Sequence, residues 1–326
     1  MCIFAYGQTG SGKTFTMEGP PDNRGVNFRA LDSMFALALE RADEARYTIS
    51  LSMLEIYNET IRDLLVEAPP GAGAPGDRGA RLDIRQTPQG TAVPGLTEQV
   101  VTTMAEVHAL FDVGNRNRAV GSHDMNAQSS RSHMILSLHV RSEAARAGGR
   151  ASVVSKMHLI DLAGSERIAK TDASGDRLKE AQNINKSLSA LGDVINALAG
   201  RKGSHVPYRN SKLTFLLQDS LSGDSKVMMF VNISPAVYNV SETLCSLGFA
   251  ARCRAVELGQ AKKQTSESPE LAAARRQLAA MRARLEAAGL SVGDDEGGGA
   301  GASSPARKPA ASRTRTSLPP RPSPRG

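Results

Sequence analysis

The residues Gly7-Gln8-Thr9-Gly10-Ser11-Gly12-Lys13-Thr14 fit the pattern G-x-x-x-x-G-K-[ST], and they follow the short apolar run Cys2-Ile3-Phe4-Ala5-Tyr6. A strand, a glycine loop and a helix start are the context in which this pattern holds a polyphosphate. Glycines let successive N–H groups turn inward around phosphate oxygens. Lys13 supplies a cation for the β- and γ-phosphates, and the Thr14 hydroxyl can ligate Mg2+. The chain is therefore read as binding a nucleoside triphosphate, with the use of that nucleotide left open by the loop itself.

Three further segments narrow the chemistry. In Asn126-Ala127-Gln128-Ser129-Ser130-Arg131-Ser132-His133, clustered hydroxyls and a guanidinium lie between a helix and a strand. Ser129 and Ser130 there are placed to reach a γ-phosphate and its Mg2+, as a switch loop ordered by the triphosphate does. In Asp161-Leu162-Ala163-Gly164-Ser165-Glu166, a carboxylate ends a buried strand. Asp161 suits a Walker-B role, holding Mg2+ through water, and the Gly164 N–H can approach the γ-phosphate because no Cβ stands in the way. Glu166 and Arg131 are expected to pair across the γ-phosphate. The third segment, Asn183 to Gly192 followed by His205 to Thr214, reads as a helix, then a basic turn leading into another helix.

These residues need a scaffold, and the hydrophobic pattern supplies one. Helical spacing of Phe28, Leu31, Phe35 and Leu39 predicts a helix over about Asn27 to Ala42, and alternation predicts strands over Tyr47 to Tyr57 and His133 to Val140. Thr103-x-x-Glu106 is a capping box opening a helix through Val107, Leu110 and Phe111. Glu143 to Arg150 is expected to be a loop, as is the Pro/Gly-rich stretch Ala68 to Ala80. Val153 to Asp161 reads as a buried strand. Helices follow over Asp176 to Ala199 and Ser211 to Leu221, then a strand over Lys226 to Ile233 and a helix over Ser241 to Val256. Strands alternating with helices predict an α/β fold, a mainly parallel central sheet with helices on both faces.

The chain has 326 residues, 40% of them hydrophobic, enough for one sizeable core with a tail. Its longest apolar run, Val227 to Val231, is far short of a membrane span, so no membrane partner is expected. Cys2, Cys245 and Cys253 form no metal-binding spacing, which suggests a reduced, cytoplasmic setting. The net charge of +7 suggests nucleic acid until it is located: Arg307, Lys308, Arg313, Arg315, Arg321 and Arg325 supply six of the seven charges, all in the Pro/Ser/Gly-rich tail. No aromatic stacking platform accompanies them, so nucleic acid is not expected. Leu271, Leu278 and Leu285 stand seven apart in a short amphipathic segment with coiled-coil potential. The expected division is 1–260, a globular domain; 261–290, the amphipathic helix; and 291–326, a disordered basic tail.

Taken together, the phosphate loop, Asn126 to His133, Asp161 to Glu166, Asn183 to Gly192 and Tyr208-Arg209-Asn210-Ser211-Lys212 resemble the kinesin motor domain, in the family's order and over residues 1–260. Asp176 to Gln182 and the ending Val256-Glu257-Leu258-Gly259 are similar to the minus-end-directed kinesin-14 group of plants and algae. The resemblance implies a phosphate-loop NTPase fold in three layers that hydrolyses ATP with Mg2+ on microtubules, and hence a cytoskeletal location in the cytoplasm. It implies that Asn126 and Ser129 position the lytic water, that Ser130 and Thr14 serve the Mg2+ site with Asp161, and that Arg131 and Gly164 belong to the closing switches. Glu166 would accept the proton through a second water. It also implies that Lys186, Tyr208, Arg209 and Lys212 meet acidic tubulin. The family pattern begins with an Arg-x-Arg-Pro strand and further elements ahead of the phosphate loop, and kinesin-14 motors have a preceding neck that can form a homodimer. Neither precedes Met1, so the sequence is expected to be an N-terminally truncated motor with exposed strand edges beside the strand over about Lys226 to Ile233 or its neighbour. The alternatives are a non-motile microtubule-binding module with impaired turnover and an ATPase acting on another polymer or on nucleic acid.

Overall fold

The structure, a computed structural model, describes residues 1–66, 82–88, 90–120, 130–144, 152–167, 176–200, 205–222 and 225–256, with 277, 280, 281 and 284 beyond them. Ala68 to Ala80, most of the amphipathic segment and the basic tail lie outside the described residues, as do Asn126 and Ser129. The chain divides into two units, Met1–Glu270 and Leu271–Gly326. Of the second, Gln277, Ala280, Met281 and Arg284 are helical.

The first unit is built on a seven-stranded sheet in the order β3-β2-β7-β8-β1-β9, with β6 also pairing β2. Its strands are β1 (Cys2–Tyr6), β2 (Ala45–Tyr57), β3 (Thr60–Asp63), β6 (Gln99–Val101), β7 (His133–Ala144), β8 (Val153–Asp161) and β9 (Val227–Val231), and a separate hairpin pairs β4 (Arg85–Thr87) with β5 (Gly90–Ala92). The sheet is mixed, which corrects the expectation of a mainly parallel one. Only the two neighbours of β1, β8 and β9, run parallel to it. The other pairings are antiparallel. The cause is connectivity: only eight residues separate the end of β7 at Ala144 from the start of β8 at Val153, fewer than the dozen or more that a crossover between parallel strands needs.

Seven helices accompany the strands among the described residues: α1 (Lys13–Met17), α2 (Val26–Glu40), α3 (Met104–Val120), α4 (Asp176–Ala199), α5 (Lys212–Leu216), α6 (Gln218–Leu221) and α7 (Val240–Arg254). Alternate strand residues feed two cores on opposite faces. Phe4, Ile135 and Ile160 pack with Leu188, Leu191 and Val194 of α4, Leu213 of α5 and Phe249 of α7. Ile3, Leu136 and Leu159 pack instead with Phe28 and Leu31 of α2 and with Val107 and Phe111 of α3. Each such fully buried apolar side chain contributes about 1.5–3 kcal/mol, so the central strands are fixed from both sides.

Local signals explain most element ends. The capping box forms as read: Thr103 Oγ1 accepts from the Glu106 N–H, and Glu106 Oε2 accepts from the Thr103 N–H, both at 3.3 Å. The expected helix over Ser211 to Leu221 is two short helices meeting at Leu217, with Ser211 capping α5 through the Thr214 N–H at 3.1 Å. β7 runs on through Glu143 and Ala144, where a loop was expected, because β2 pairs with it to its end. At the other side of the sheet β9 pairs with β1 alone among the described residues, and Met228 on it is 48% exposed. Among the described residues β9 is thus an edge strand of the sheet.

Candidate nucleotide site

The sheet delivers three strand ends to one place. In the parallel register Ala5 of β1 lies beside Asp161 of β8, and Tyr6 lies beside Val231 of β9. The phosphate loop leaves β1 at that point, at the carboxyl ends of the parallel strands where open α/β sheets bind ligands. Gly7 is required there because a Cβ would overlap the Asn232 carbonyl oxygen just past β9. Gly12, at φ 91°, caps α1 in the left-handed region that favours glycine.

Lys13, at the head of α1, is 6% exposed. Its Nζ donates to the carbonyl oxygens of Gly7 and Gln8, each at 2.9 Å, so it is folded over the loop it serves. Burial lowers its pKa, while Asp161 and Glu166 act to raise it. Thr14 Oγ1 donates to Asp161 Oδ2 at 2.6 Å, and the second oxygen, Oδ1, is buried with no partner. Burial raises the Asp161 pKa and the Thr14 hydrogen bond opposes the rise. A hydroxyl beside a carboxylate that has one unspent oxygen is the kind of hard oxygen set that Mg2+ takes. The residues present therefore fit that ion.

The segment Asp161 to Glu166, the second switch by resemblance, is fastened residue by residue to the phosphate loop and to the described end of the first switch, Asn126 to His133. The Ala163 N–H donates to His133 Nδ1 at 3.0 Å, and the Gly164 N–H donates to the Ser130 carbonyl at 2.8 Å. The Ser165 N–H donates to the Gly7 carbonyl at 3.1 Å, and the Thr9 N–H donates to Glu166 Oε2 at 2.8 Å while Thr9 Oγ1 donates to Oε1. Ala163 and Gly164 are thus tied to the first switch, and Ser165 and Glu166 to the phosphate loop. Glu166 lies on Thr9 rather than on Arg131, the partner expected from the sequence. The reason is reach: the short Ala163-to-Glu166 segment follows the phosphate loop, whose Thr9 amide and hydroxyl offer two donors to one carboxylate. A Cβ on Gly164 would meet Thr9 Oγ1 and the Glu166 carboxylate, so a larger residue there would push those two side chains aside.

Sequence reading assigned no role to two buried groups behind the pocket. Arg118, near the end of α3 and 9% exposed, donates to Ser132 Oγ at 3.2 Å and sits 3.4 Å from Glu55 Oε1. His133 is 2% exposed, and its pKa is pushed down to about 3 by burial first, then by the Lys13 and Arg118 charges. Only His133 carried a signal, its place beside the serine cluster.

The outward residues divide into two pairs. Lys186 on α4 and Arg209 are exposed, with Arg209 4.8 Å from the Phe215 ring centroid. Tyr208 is half-buried against the α4 core and its hydroxyl points to the Leu221 carbonyl at 3.5 Å. Lys212 pairs with Asp83, and its backbone N–H donates to Glu59 Oε2 at 2.9 Å. Tyr208 and Lys212 therefore hold the turn and α5 in place as well as lining the outside.

A phosphate loop flanked by two interlocked switches defines a phosphate-loop NTPase. The kinesin motor domain family matches residues 1–256. The chain is similar to kinesin-like protein KIN-14R of Arabidopsis thaliana, 58% identical over 265 residues that make up 81% of this chain and 24% of that protein. KIN-14E of Oryza sativa subsp. japonica is 57% identical over the same shares. Among solved structures, the KIF14 dimer in its two-heads-bound state, with AMP-PNP and in complex with a microtubule, is 38% identical with a TM-score of 0.73, covering 85% of this chain and 76% of that one. The Kar3 motor domain of Saccharomyces cerevisiae is 41% identical with a TM-score of 0.65, covering 78% and 74%. The chain belongs to the kinesin motor domain family, and it spans about a quarter of the length of the curated relatives it matches.

Proposed function

We propose that this chain hydrolyses ATP with Mg2+ when it engages microtubules, and that it moves toward the minus end as the kinesin-14 relatives suggest. The observation that carries the reading is the second switch, which joins the phosphate loop to the first switch through four consecutive residues, Ala163 to Glu166. That arrangement supports a pocket in which closure and hydrolysis are linked. Lys13 would exchange its two loop carbonyls for phosphate oxygens, and the loop amides would hold the rest of the polyphosphate. Thr14, Ser130 and Asp161 would hold Mg2+, which supplies charge neutralisation at the phosphates when bound. Arg131 and the Gly164 N–H would complete the closed pocket. Asn126 and Ser129 would orient the attacking water, and Glu166 would take its proton through a second water. Catalysis of this kind rests on positioning and charge stabilisation. Outside the pocket, Lys186 and Arg209 would meet acidic tubulin with Tyr208 and Lys212 behind them. Dimerisation and a cytoskeletal location belong to the same reading.

The test is the steady-state ATPase rate of the chain with and without polymerised microtubules. Stimulation by microtubules is expected. Equal rates with and without them would defeat the motor reading, and tight binding without turnover would favour the non-motile alternative.

A further inference from the structure

His133 forms hydrogen bonds on both sides of its ring, and the directions of those bonds are fixed. Nδ1 accepts from the Ala163 N–H, so it carries the lone pair and the ring hydrogen sits on Nε2. Nε2 lies 2.7 Å from Ser187 Oγ in the middle of α4. The Ser187 hydroxyl spends its one hydrogen on the Ile184 carbonyl at 2.7 Å, so it accepts from Nε2. Reversing the chain would turn Nδ1–H against the Ala163 N–H, two donors facing each other. Both His133 and Ser187 are 2% exposed, which removes water as a substitute partner. The neighbours of Ser187 point two ways: Lys186 is exposed on the outer face and Leu188 enters the core.

We infer that His133 is a positioning residue that passes the placement of the second switch to α4, by way of the Ser187 hydroxyl. A shift of Ala163 relative to β7 removes the acceptor's partner on one side of the imidazole. The ring must then turn to find another, and its Nε2–H leaves Ser187. With a single satisfied arrangement and no water to substitute, the buried pair cannot follow a displaced Ala163 and keep Ser187 as well. The effect on α4 is local to Ile184–Ser187, next to the exposed Lys186. The inference rests on the motor reading for its purpose, though not for its geometry.

The test uses the full chain and compares hydrogen exchange with and without Mg2+ and AMP-PNP. In the parent, nucleotide should change exchange over residues 183–188 of α4 by about threefold or more, along with protection of the phosphate loop. Ser187→Ala should keep the phosphate-loop protection and lose the α4 response. His133→Asn keeps an acceptor for Ala163 and removes the contact with α4, and it should lose the same response. The double variant should be no worse than either single, since both cut one link. A parental α4 response in Ser187→Ala, or none in the parent, would overturn the inference. Microtubule stimulation of the parent is measured alongside: if it is absent while the α4 response still depends on Ser187, the motor reading fails and the relay stands.

Discussion

The second switch and the outer face of α4 and α5 hold their partners in opposite ways. From Ala163 to Glu166 every residue makes a specific bond to the phosphate loop or the first switch, mostly through backbone amides. On the outer face Lys186 and Arg209 are exposed, while Lys212 is held by Asp83 and Tyr208 by its packing. One region is interlocked and tolerates little substitution. The other distributes its work over side chains that water and salt can replace, so single losses there should be mild.

Three outcomes would break or sharpen this contrast. The largest effect is expected for Glu166→Ala, which removes the group held by Thr9 and the proposed proton acceptor. Turnover should fall by about a hundredfold or more while ATP binding persists, giving tight microtubule binding; a parental rate in a steady-state assay would remove the role given to Glu166. The second concerns pH. His133 and His158 are both buried with pKa values near 3, in each case chiefly through burial. Between the ordinary histidine value of about 6.5 and those values, the unfolded chain binds protons that the folded chain refuses. Their contribution to stability is therefore complete above about 6.5 and is lost as pH falls toward 3. The melting temperature should drop between pH 7.5 and 5.5, and less so in His158→Asn; an unchanged melting temperature over that range would contradict the buried neutral assignment. The smallest effect is on the outer face. Lys186→Ala should weaken microtubule binding by a few fold, in a salt-dependent way, and Lys212→Ala by less, because Asp83 already engages that ammonium. Equal losses in a co-sedimentation series would mean that tubulin displaces Asp83.

Much of the pocket was legible because its residues are local. The phosphate loop is contiguous, and its glycines answer to backbone demands that sequence spacing displays. Asp161 could be placed at a strand end from the apolar run before it. What could not be read were pairings across long separations: Thr9 with Glu166, and His133 with Ser187, are joined only because β1, β7 and β8 bring their ends together. Strand direction was lost for a related reason. The pattern of apolar residues along β7 and β8 is the same whichever way the two run, and only the shortness of the link between them decides it. Tyr208 and Lys212 looked like surface residues by type, and their partners Leu221 and Asp83 carry no motif.

The fastening of the second switch also sets how the pocket can open. Its bonds run in two directions, to the first switch and to the phosphate loop, and they are made by adjacent residues on one short stretch of backbone. Loosening one amide strains the next, so partial opening gains little freedom for the bonds it gives up. The segment should release as a unit, and occupancy of the pocket should register as a change between two populations, with few molecules caught halfway.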